Sequence, residues 1–142
     1  MNLRSVIDQV GKKYFSHEEL PIFKAQIEQE SNFNIFAVSQ CGAKGIAQFM
    51  TETAGDHNLD NRLNALHSIN ASMQKMRQDS DYYGSMELAL IAYNAGGTRA
   101  VKTALYLEET NNDIQKAMKL AKIPKETQKY VPKILAKSEK YM

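Results

Sequence analysis

The chain has 142 residues, 43% of them hydrophobic and 24% charged, with a formal net charge of +2, one Cys and no Trp. This length supports one domain over residues 1–142 with a core that needs neither disulfide nor structural metal, and a lone Cys41 with scattered His17, His57 and His67 excludes an internal disulfide and argues against zinc. The N-terminus lacks the apolar run of a secretory signal and no stretch approaches the roughly 20 apolar residues of a membrane span, so a soluble protein without membrane insertion is expected.

Read in chain order, the patterns are helical. Leu3, Val6, Ile7 and Val10 mark a first amphipathic segment. Ser16-His-Glu-Glu19 is a candidate capping box for a second helix running to about Glu30, in which Pro21 fits only near the first turn. Residues 42–50 form a short glycine-containing segment, and Leu63, Leu66, Asn70, Met73 and Met76 step by three and four along a longer helix. From Met86 to Tyr93 the only charge is Glu87, which predicts a helix buried nearly all round, stopped by Gly96-Gly97. Three more helical patterns follow, around Thr98 to Leu107, Asp113 to Lys122 and Glu126 to Tyr141, with Pro132 marking a kink or a late start in the last. Alternating β-branched runs are absent. The expected fold class is all-α, with room for a short hairpin within 31–60.

Charge is distributed unevenly. Residues 113–142 carry eight lysines, at 116, 119, 122, 125, 129, 133, 137 and 140, against Asp113, Glu126 and Glu139. Such spacing draws one stripe along helical segments. The plain reading is a solvated helix face; the sharper one is a footprint for an anionic polymer. Nucleic acid is a poor candidate for that polymer, because Arg is sparse and neither an aromatic-rich RNA-binding signature nor a zinc finger occurs.

On the second helix Leu20, Phe23 and Ile27 set an apolar stripe whose next position is Glu30. Apolar surroundings disfavour a charged carboxylate and raise its pKa, which suits a general acid near neutral pH. The alternative for Glu30 is a partly exposed last-turn residue without a role. Glu28, rotated away by two residues, is expected to face solvent.

The segment that follows weighs on that choice. Glu30-Ser-Asn-Phe33, Ala37-x-Ser39, Gly42-Ala-x-Gly45-Ile-Ala-Gln48-Phe-Met50 and Thr53-Ala54 come in order, followed downstream by Ala92-Tyr-Asn-Ala-Gly-Gly97 and Glu126-Thr-x-x-Tyr130-Val131. This series resembles the soluble lytic transglycosylase family over about residues 21–135. Each motif alone is weak; together and in register they are specific. Ile35 and Thr51 stand where the family often has Pro, which alters loop entry and leaves the catalytic group untouched.

The resemblance implies a lysozyme-like fold with a glycan-binding groove between a helical core and the 31–60 region. It implies Glu30 as the catalytic acid and base, Ser39 as the hydroxyl that orients it, and Gln48, Phe49, Met50, Tyr93, Asn94, Glu126 and Tyr130 as the saccharide-binding set, with no metal or cofactor. Gly42 and Gly45 would let backbone approach the polymer closely. Most glycosidases use two carboxylates, whereas here one is placed by motif; Glu52, Asp56 and Asp60 match no catalytic element. By resemblance, Glu30 protonates the oxygen between N-acetylmuramic acid and N-acetylglucosamine, the 2-acetamido group stabilises the developing cation, and Glu30 then deprotonates the C6 hydroxyl to leave a 1,6-anhydro end.

Two other readings stay open: a lysozyme-type muramidase on the same fold, with Asp56 or Asp60 positioning water, and a non-catalytic peptidoglycan-binding module. Intact Glu30, Ser39 and Gln48 argue against the module. The expected setting is a monomer acting on peptidoglycan strands from the periplasmic or extracellular side. A phage endolysin or virion-associated domain fits a short chain without a signal best, a secretion- or conjugation-associated enzyme next.

Overall fold

The computed structural model describes residues 3–34 and 65–142. They form two compact units, one of Met1–Lys75 with Lys137–Met142 and one of Met76–Ala136.

The first unit opens with α1 (Leu3–Tyr14) and α2 (Glu19–Ser31) and takes in the first residues of α3 (Ala65–Tyr83) and the C-terminal 3₁₀ turn Glu139–Tyr141. The capping box forms as predicted: the Glu19 amide donates to Ser16 Oγ at 3.2 Å, and the Ser16 amide to Glu19 Oε1 at 2.9 Å. Orphan amides at the start of α2 are thereby satisfied from both directions. Pro21, in the first turn, needs no donor there. Val6, Ile7, Phe15, Phe23, Ala25, Ile27, Ile69 and Met73 are buried, and the Phe15 and Phe23 rings stack at 5.1 Å. Gly11 lets α1 and α2 approach, since a Cβ there would run into the Leu20 side chain. Lys24 and Asp8 pair across the two helices, and the Tyr14 hydroxyl donates to Asn70 Oδ1 of α3 at 2.8 Å.

The second unit contains the rest of α3, then α4 (Met86–Ala95), α5 (Gly97–Leu105), α6 (Ile114–Leu120) and most of α7 (Lys125–Ser138). Ser85 Oγ caps α4 by accepting from the Leu88 amide at 3.1 Å, and Asp113 Oδ1 caps α6 by accepting from Lys116 at 3.1 Å. As the sequence predicts, α4 is buried nearly throughout, from Met86 through Leu88, Ala89, Leu90, Ile91 and Ala92.

Three boundaries differ from expectation. Gly96 alone stops α4, in a left-handed conformation at φ 96°, while Gly97 already opens α5. Pro132 lies inside α7, so that helix does not start late, and residue 132 has no amide to donate there. The last helix ends at Ser138 and tightens into the 3₁₀ turn rather than running on to Tyr141. The described residues contain no strand, in keeping with the all-α expectation; beyond residue 34, the suggested hairpin lies outside them. No helix among them is long and apolar enough to cross a membrane.

Candidate active site

Glu30 sits in the last turn of α2, half-buried, at the position that follows Leu20, Phe23 and Ile27 on the stripe. Behind it the helix ends abruptly. Asn32 and Phe33 both take left-handed backbone angles, φ 51° and 62°, and the Asn32 amide returns to the Glu28 carbonyl at 2.8 Å. Asn adopts this conformation readily, whereas Phe does so at a cost of about 1 kcal/mol or more. The Arg4 guanidinium of α1 lies over the Phe33 ring, 4.6 Å from its centroid, and helps hold it there.

Glu28 corrects the helical-wheel expectation of a solvent-facing residue. Its side chain is only 13% exposed, because the C-terminal turn covers it. The Tyr141 hydroxyl donates to Glu28 Oε1 at 2.5 Å, Lys140 Nζ lies 2.7 Å from the same oxygen, and Lys137 Nζ lies 3.4 Å from Oε2. Lys140 first, then the Tyr141 hydroxyl, holds the Glu28 carboxyl down at about 2 against the opposing effect of burial. Burial, reinforced by the Glu28 charge, pushes the Tyr141 hydroxyl up to about 12. Two lysines of the stripe are thus tied to Glu28, Lys137 half-buried and Lys140 exposed; Lys116, Lys119, Lys122, Lys125, Lys129 and Lys133 are exposed.

In the second unit, two motifs far apart in sequence meet. The Thr127 hydroxyl, at the start of α7, donates to Asn94 Oδ1, at the end of α4, at 2.6 Å. Thr127 is 1% exposed and Asn94 half-buried, so this bond orients the Asn94 amide and turns its Nδ2 donors away from Thr127. Tyr93 is half-buried beside it, Tyr130 is buried at 7% exposure one turn along α7, and Glu126 is exposed. Sequence reasoning did not single out Thr127, although it stands within the Glu126-Thr-x-x-Tyr130 series. Ser39, Gln48, Phe49 and Met50, with Gly42, Gly45, Glu52, Asp56 and Asp60, lie outside the described residues. Among the described residues no three His, Cys, Asp or Glu side chains gather to hold a metal ion.

A family model for the transglycosylase SLT domain matches residues 6–118, most of the chain. The chain belongs to the transglycosylase SLT domain family. The SLT domain here is 32% identical over 119 residues to the membrane-bound lytic murein transglycosylase D of Escherichia coli K12, covering 78% of this chain and 25% of that protein. It is 31% identical over 74 residues to a transglycosylase of Enterobacteria phage PRD1, covering 52% of this chain and 28% of the phage protein. Its fold is that of the 70 kDa soluble lytic transglycosylase SLT70 of Escherichia coli, with a TM-score of 0.73 over 95% of this chain and 23% of that one, at 22% identity. The lysozyme-like helical fold follows. The chain thus spans about a quarter of the length of these relatives.

Proposed function

We propose that this SLT domain is a peptidoglycan lytic transglycosylase that cleaves the β-1,4 bond between N-acetylmuramic acid and N-acetylglucosamine, with Glu30 as general acid and base. The observation that carries this reading is the position of Glu30, half-buried in the last turn of α2 within the segment matched by the family. The murein transglycosylases among the relatives support the substrate class.

In this mechanism the Glu30 carboxyl gives its proton to the glycosidic oxygen as the C1–O bond breaks. The 2-acetamido group of the muramic acid takes the place of a second carboxylate and stabilises the cation. The Glu30 carboxylate next removes the proton from the C6 hydroxyl, whose oxygen closes on C1. One C–O bond is broken and one formed, the proton returns to Glu30, and no water is consumed. Asn94, oriented by Thr127, and Tyr93 would hold the saccharide, with Glu126 and Tyr130 completing the set and Ser39, Gln48, Phe49 and Met50 contributing as the resemblance implies. The domain would act as a monomer on wall strands from the periplasmic or extracellular side, in a phage-type endolysin or virion-associated role.

Product analysis tests the reading. Digested peptidoglycan should give muropeptides that end in 1,6-anhydromuramic acid, one water lighter than hydrolysis products and inert to borohydride. Predominantly reducible muramic acid ends would replace the transglycosylase with the muramidase.

A further inference from the structure

We propose that the C-terminal turn is a clamp on the last turn of α2, in which Tyr141 and Glu28 act as positioning residues for Glu30. The inference rests on the reading of Glu30 as the acid and adds the residues that hold it in place.

A helix end frays unless something outside it holds it, and the last four carbonyls of α2 have no partner within the helix. Glu28 and Glu30 are two residues apart, about 200° around the helix, so they occupy opposite sides of the same turn. On the Glu28 side the turn is held by three groups from residues 137–141: the Tyr141 hydroxyl at 2.5 Å, Lys140 at 2.7 Å and Lys137 at 3.4 Å. Both lysines also lie close to the C-terminal end of α2, where the helix dipole favours cations. The Tyr141 ring also has two ammonium groups against it, Lys24 Nζ 5.8 Å and Lys140 Nζ 5.6 Å from its centroid. Lys24 is in turn tied to Asp8 of α1. Just beyond the turn, Arg4 of α1 over Phe33 fixes the chain in its left-handed exit. Residues 137–141 thus hold the turn that carries Glu30 on the side away from Glu30, and Arg4 of α1 holds the residue just beyond it. A proton donor must stand within hydrogen-bond reach of the leaving oxygen, and a displacement near 1 Å can cost about 100-fold in rate. Loss of the grip would let the turn fray and Glu30 swing, with the saccharide contacts unchanged.

The test compares variants of the full chain on soluble peptidoglycan strands at a temperature where all remain folded by circular dichroism. Tyr141→Phe, which keeps the ring and loses the hydroxyl, and Glu28→Gln should each lower kcat by about 10-fold with KM unchanged. The double variant should be no worse than the poorer single one, since both break the same contact. Asp113→Ala removes the cap of α6 and serves as a destabilised reference that should keep kcat. Glu30→Gln, run alongside, should be inactive. If Glu30→Gln is inactive while Tyr141→Phe and Glu28→Gln stay within two-fold of the parent, or if Asp113→Ala loses kcat equally, the clamp is overturned and the Glu30 assignment stands. An active Glu30→Gln overturns the assignment and the clamp together.

Discussion

The Tyr141 hydroxyl and Glu28 Oε1, 113 residues apart in sequence, are joined by a 2.5 Å hydrogen bond that closes the C-terminal turn onto the end of α2. Around it one largely covered carboxylate faces two ammonium groups, Lys140 on Oε1 and Lys137 on Oε2, and the phenol adds an uncharged donor to Oε1.

This arrangement predicts a specific acid sensitivity. Glu28 falls from its ordinary 4.5 to about 2 in the folded chain, so its contribution is present above pH 4.5 and is lost as pH falls toward 2. With its lysine partners part-exposed, the contribution is on the order of 2 kcal/mol. Urea midpoints at pH 7 and pH 2.5 should converge in Glu28→Gln relative to the parent. An identical midpoint loss on acidification in both proteins would remove Glu28 from the account. At the other extreme, Tyr141 is raised from 10 to about 12, so its share of stability is intact below pH 10 and fades as pH approaches 12.

The contrast between Glu28 and Ser16 shows what the sequence could and could not reveal. The capping box is local, spanning four residues, and forms as its spacing predicts. The burial of α4 was equally legible, because a helix with one charge in eight positions has no polar face to expose. The cover over Glu28 was not legible: a helical wheel places a side chain around its own axis and says nothing about residues 137–141 folding onto it. Gly96-Gly97 misled in a different way. Two glycines read as one stop, but only the φ of 96° at Gly96 requires glycine for its conformation, and Gly97 is free to start α5.

Thr127 is predicted to act on saccharide affinity through Asn94. Thr127→Val keeps the shape and removes the donor, leaving the Asn94 amide free to rotate. A lost hydrogen bond of this kind costs about 1 kcal/mol, so KM for glycan strands should rise roughly five-fold while kcat changes little. An unchanged KM would show that the orientation of Asn94 does not matter to binding.

The lysine stripe divides into two groups with different expected behaviour. Lys129→Gln combined with Lys133→Gln should weaken attachment to anionic sacculi at low salt and flatten the salt dependence of lysis, without moving Tm. Lys140→Gln should do the reverse, lowering Tm through the lost Glu28 pair and leaving the salt response nearly intact. Lysis by the Lys129/Lys133 variant with the parent's salt curve would mark these residues as a solvated face only.

Two glutamates two residues apart should separate stability from chemistry. Glu30→Gln removes the proton donor while keeping size and polarity at a half-buried position, so unfolding midpoints at pH 7 should stay close to the parent. Activity should fall by about 10²- to 10⁴-fold, the usual contribution of a positioned acid-base group. Glu28→Gln should behave in the opposite proportion. It sacrifices the carboxylate that Lys137, Lys140 and Tyr141 surround, so its midpoint falls while its rate falls only about as much as a loosened helix turn requires. The two effects are read from the same preparations, by urea titration and by release of soluble muropeptides. A Glu30→Gln protein that loses stability as much as activity would mean that Glu30 is a structural carboxylate, and the proton donor would then have to be sought elsewhere in the chain.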